Sequence, residues 1–178
     1  IAYAVVPRNT EEFVIESDDV IRMTNTEIIY EDAKRNKTID MPEQYYVVYN
    51  NRAVRVYDLE KLKPSCGSVR LIDNNRDGKY EVVIIENYAT HVVSGISTAS
   101  SAVYLKNPYK TINYSADRVE FFYGKDRIST EPENLKEGMI ASVMESSGDN
   151  KKFTIIVSDE VITGKVTAIK EEDGKLYI

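Results

Sequence analysis

The segment VRLIDNNRDGKYEVVII, residues 69–85, decides the fold class, because it recurs as ASVMESSGDNKKFTIIV at residues 141–157. At the offset of 72, Leu71 meets Val143, Asp77 meets Asp149, Lys79 meets Lys151, and Val83, Ile84 and Ile85 meet Ile155, Ile156 and Val157. Each copy is an apolar run, a polar loop and a second apolar run, which is the signature of a strand, a turn and a strand. Working outward, VVSG at 92–95 is followed at an offset of 69 by VITG at 161–164. TIDMPEQYYVVYNN at 38–51 is similar to TINYSADRVEFFYGK at 111–125, with one residue inserted. Both lead into a linker that bears Pro and Leu-Lys, LEKLKPSCG at 59–67 and EPENLKEG at 131–138. Three blocks in one order at nearly one offset predict a duplicated unit of about 70–74 residues.

Composition agrees with strands. Nineteen Val and eighteen Ile stand against six Leu, and there are thirteen Tyr, a balance that suits half-buried pleated surfaces. Asn50-Asn51, Gly124 and Asp173-Gly174 are the expected hairpin turns, since Asn and Gly tolerate the left-handed conformation that such turns demand. The only helix candidates are DLEKLK at 58–63 and PENLK at 132–136, read as short connectors. The expected fold is all-β, with tandem small barrel- or sandwich-like units: the end of a preceding unit at 1–19, unit one at 20–93, unit two at 94–162, and the start of a third at 163–178. IIY at 28–30 and AVY at 102–104 are read as equivalent points. The chain starts IAYAVV without Met and ends in GKLYI, which suggests a segment of a longer or processed protein.

With 23 Lys plus Arg against 29 Asp plus Glu, the net charge of −6 argues against nucleic acid, whose phosphates need clustered cations. No run approaches the roughly 20 apolar residues of a membrane-spanning helix, so no membrane insertion is expected. One cysteine, Cys66, excludes an intrachain disulfide, and one histidine, His91, leaves no cluster for zinc. No nucleophile elbow, zinc-protease helix or phosphate-binding loop motif occurs, so no enzymatic activity is expected. Asn36-Lys37-Thr38 and Asn113-Tyr114-Ser115 match the N-glycosylation pattern, which short sequences often do by accident. Tyr45, Tyr46, Tyr49 and Tyr57 are expected to pack across strands, and the alternative is a platform for sugar.

One constellation carries chemistry. Asp73, Asn75, Asp77, Gly78 and Glu81 spell D-x-N-x-D-G-x-x-E between two apolar runs. Calcium takes six to eight oxygen ligands, and the side chains of Asp73, Asn75, Asp77 and Glu81 with the backbone carbonyl of Lys79 could wrap one. Ile84 stands where an EF-hand needs its twelfth-position Glu, and the flanks are strands. The pattern is more similar to the calcium loops between strands of integrin-like propeller blades. Against a metal, Asn, Asp and Gly are what any polar turn uses, and Arg76 would oppose a cation.

The string VRLIDNNRDGKYEVVIIENYATHVVSGIS, preceded by YNNRAV and followed by NLKEGMIASVMES, resembles the β-rich repeat region of large Gram-positive surface proteins that carry S-layer homology domains. The resemblance covers most of residues 38–170 and departs at Arg76 and Glu81, where Asp or Gly and Asp are commoner. It implies an extracellular, wall-associated, non-catalytic module, a spacer or stalk whose partners are neighbouring repeats of the same chain. The alternative reading is an accessory module for cell-wall glycans or proteins.

Overall fold

A computed structural model describes residues 10–55, 58–148, 151–160, 167–172 and 175–177, with side chains up to residue 169. The chain is all-β. In the first half the strands are β1 (Glu11–Glu16), β2 (Val20–Met23), β3 (Glu27–Asp32), β4 (Arg35–Asp40), β5 (Tyr46–Tyr49), β6 (Arg52–Val54), β7 (Gly67–Asp73) and β8 (Val82–Asn87). The second half continues with β9 (Ala89–Ser97), β10 (Ala102–Lys106), β11 (Lys110–Asn113), β12 (Arg118–Tyr123), β13 (Ile128–Ser129), β14 (Ile140–Glu145) and β15 (Lys152–Ser158). Strands β16 (Lys170–Glu172) and β17 (Lys175–Tyr177) pair antiparallel, and the predicted Asp173-Gly174 turn lies outside the described residues.

The two halves pair their strands in corresponding order. In the first, β7 lies antiparallel between β1 and β8, and β8 runs parallel to β5, which carries β6. In the second, β14 lies antiparallel between β9 and β15, and β15 runs parallel to β12, which carries β13. The meander β2-β3-β4 corresponds to β9-β10-β11. Rungs match as well: Leu71 faces Val83 where Val143 faces Ile155, and Ile28 faces Ile39 where Val103 faces Ile112.

The halves differ in how the meander joins the main sheet. In the first half the chain turns at Ser17–Asp19, so β1 and β2 belong to separate sheets of five and three strands. These share one core, in which Ile15, Met23, Ile28 and Tyr30 meet Val69, Leu71, Val83 and Ile85. In the second half the nine-residue β9 serves both partners, pairing with β14 through residues 89–92 and with β10 from Val92 onward, with a register shift between Tyr104 and Leu105 that skips Ser94. One seven-stranded sheet results, curled over Val93, Val103, Ile112, Phe121, Val143, Phe153 and Ile155. Neither sheet closes on itself among the described residues, which corrects the barrel part of the expectation. The strand Glu11–Glu16, read as the tail of a preceding unit, pairs along its whole length with β7.

Asn50 and Asn51, at φ 47° and 65°, close β5 and β6 with the left-handed pair that a two-residue hairpin turn requires. Gly124 opens the longer turn to β13. Both linkers contain a single 3-10 turn, Leu59–Leu62 and Pro132–Asn134, and each pins a leucine into its core, Leu59 fully buried and Leu135 nearly so. Among the described residues, no helix is long and apolar enough to cross a membrane.

Candidate metal loop and the polar joint between the halves

The loop after β7 is built on Asp73, which is only 1% exposed. Its Oδ1 accepts the amides of Asn75 (3.1 Å) and Arg76 (2.6 Å), and its Oδ2 accepts the amide of Gly78 (2.8 Å). Burial pushes the Asp73 carboxyl up, but these amides, with that of Asp77, outweigh it and hold the group below the usual carboxylate range. Gly78 sits at φ 83°, where a side chain would be strained. Asp77 Oδ1 accepts the Lys79 amide (2.9 Å), Asn75 Oδ1 accepts the Asp77 amide (2.9 Å), and Glu81 Oε2 accepts the Asn74 amide (2.9 Å).

One carboxylate oxygen each from Asp73, Asp77 and Glu81 lies within 4.8 Å of the others. Two ligands on a calcium ion at about 2.4 Å cannot stand more than about 4.8 Å apart, so the triad fits the reach of one cation. The structure thus brings together three of the predicted ligands. Asn75 turns its Nδ2 to Asp77 Oδ2 (3.2 Å), and Lys79 is tied in through its amide. Asp73 and Glu81 stand where the next rung of the hairpin would fall, and the ladder stops one rung earlier, at Ile72 and Val82.

The second hairpin keeps that rung, Glu145 opposite Phe153. Its acid meets cations already present: Lys151 Nζ is 2.5 Å from Glu145 Oε1, and Lys110 bonds the other oxygen. Burial raises the Glu145 carboxyl, and these two ammonium groups more than reverse it. Asp149, aligned with Asp77, lies outside the described residues.

A second polar cluster, which the sequence reading missed, lies between the halves. Glu86 on β8 accepts Arg127 Nη2 (2.6 Å) from the β12–β13 turn and the Tyr88 hydroxyl (3.2 Å), with Arg70 Nη2 at 3.9 Å. Burial raises the Glu86 carboxyl, but the hydrogen bond and charge of Arg127 dominate and lower it. Tyr88, buried beside that carboxylate, is pushed up to about 12 and stays neutral. A carboxyl lowered on folding contributes stability that is full above its unfolded value, about 4.3 for glutamate, and is lost as pH falls through the folded value. Melting temperature is therefore expected to fall below about pH 4, and Glu86→Gln to flatten that acid limb in a pH series of thermal melts. Forty-one residues separate Glu86 from Arg127, so no local pattern could have found the pair.

The remaining candidates have structural places. His91 is buried, its Nδ1 donating to the Pro108 carbonyl (2.9 Å). Cys66 is half-buried and forms no disulfide. Tyr45 and Tyr46, with Asn25, Glu43, Gln44 and Arg55, line an open hollow of about 660 Å³, while the Tyr49 hydroxyl accepts Asn87 Nδ2 (2.9 Å). Tyr57 lies outside the described residues. Comparisons with protein-family models, with curated proteins and with solved structures find no match for this chain.

Proposed function

We propose that this chain is a non-catalytic spacer or adhesion module of an exported bacterial surface protein, built from two copies of one β unit and the opening of a third. The matched strand order of the halves carries this reading, because parallel pairs formed at corresponding rungs are not dictated by hairpin chemistry. Its resemblance to repeat regions of Gram-positive wall proteins points the same way. The third unit opens with β16–β17, where Glu172 faces Lys175 across two intervening residues as Asp32 faces Arg35 in β3–β4. Duplicated units add length while each contacts mainly its neighbours, which suits a stalk.

Within it, calcium is the cation proposed for the first hairpin, held by Asp73, Asp77 and Glu81, with the Asn75 side-chain oxygen and the Lys79 carbonyl completing the shell. The second hairpin supports this assignment by contrast, since lysine ammonium groups pair with Glu145 there, whereas no ion pair reaches Asp73, Asp77 or Glu81 among the described residues. The Tyr45–Tyr46 hollow, where a glycan could stack, is wide and open, so the structural reading stands first.

Residues 88–160 expressed alone are expected to melt cooperatively with strand-type circular dichroism, as a self-contained copy should. An unfolded product would overturn the two-unit reading. Antibody raised against the chain should label intact cells of the source bacterium, and labelling only after permeabilisation would remove the surface role.

A further inference from the structure

Among the described residues the apolar cores of the two halves do not merge: one draws on residues 13–85 and the other on residues 93–157. A groove of about 820 Å³ runs along the joint, lined by Cys66, Gly67 and Tyr88 of the first half and Lys125, Arg127 and Ser142 of the second. A smaller hollow of about 250 Å³ between Asn87, His91 and Glu145 flanks it elsewhere. What spans the joint is polar. Asn50 Nδ2 donates to the Asn87 carbonyl (3.3 Å) and, across the joint, to the Glu145 carbonyl (3.0 Å), while its Oδ1 accepts the Asn87 amide (2.9 Å). Arg52 donates to the Ser147 carbonyl, and its guanidinium fills the space beside Gly148, where a Cβ would meet Nη1 at 1.4 Å. Beside the groove, Arg127 grips Glu86 and stacks over the Tyr88 ring, 5.8 Å from its centroid.

We infer that the angle between the halves is set by these two side-chain clamps, Asn50 with Arg52 and Arg127 with Glu86, and that removing them converts a rigid joint into a hinge. Among the described residues the two pieces share one short connection and no common core, so side-chain contacts across the joint carry its resistance to bending. The corresponding turn of the second half shows that the clamp is separable from the fold. There Gly124 takes the place of Asn50, its amide donating to Val157 O at 2.9 Å as that of Asn50 does to Ile85 O at 2.9 Å, with no side chain to reach across. The inference rests on contacts between the halves and holds whether or not they are copies of one unit.

The test measures the distance distribution between spin labels at Glu43→Cys and Glu133→Cys, both exposed, in the full chain carrying Cys66→Ser. Asn50→Gly with Arg52→Ala removes one clamp and Arg127→Gly the other, and glycine suits the positive φ of 47° and 50° at residues 50 and 127. The combined variant is expected to at least double the width of the distribution, with circular dichroism unchanged. A width equal to that of the parent would overturn the inference. Should the combined variant not fold, removing either clamp alone is expected to widen the distribution by an intermediate amount, and no widening in either case overturns it equally. Because residues 88–160 test the two-unit reading separately, failure of one leaves the other standing.

Discussion

Leu71→Ala is expected to destabilise the first half by about 2–5 kcal/mol, the usual result of cutting a fully buried leucine to a methyl and leaving a cavity. Leu71 is 0% exposed, lies between Phe13 on β1 and Val83 on β8, and belongs to a core that contains no residue beyond Ile85. The loss should therefore fall unevenly. Hydrogen exchange read by mass spectrometry should show β7 and β8 amides losing protection while β14 and β15 keep theirs. Ile155→Ala should give the mirror image, since Ile155 is equally buried in the other core. Equal loss in both halves from either substitution would mean that the two cores unfold as one cooperative body.

Calcium should raise the melting temperature. A ligand that binds only the folded state stabilises it by about 2.7 kcal/mol at a hundredfold excess over its dissociation constant. For a chain of this size that is roughly 5–10 °C. Asp77→Ala is the informative variant, because Asp77 is the exposed member of the triad and its loss leaves the Asp73 scaffold of amide bonds in place. The calcium shift should vanish in that variant while its melt in chelator stays near that of the parent. Curves of the parent protein that coincide with and without calcium would reduce the loop to a self-satisfied polar turn. Asp73→Ala is a poorer probe, since it strips three loop amides of their acceptor whether or not a metal binds.

What was legible in the sequence was what is local. The strands follow from β-branched runs, and Asn50-Asn51 forms its turn because two adjacent residues suffice to specify it. Asp73, Asp77 and Glu81 converge because nine residues wound around Gly78 can hardly place them elsewhere.

Sequence alone thus determined the class of the protein, its hairpins and the make-up of its acidic loop, since each depends on neighbours within one turn or one strand. Only the tertiary structure decided that the sheets stay open among the described residues and that β1 joins β7. It alone set Asn50 against a carbonyl 95 residues away and Glu86 against an arginine 41 residues away. The physical reason is that hydrogen bonds and ion pairs between distant segments cost chain entropy to assemble and leave no periodic trace in the residues between them.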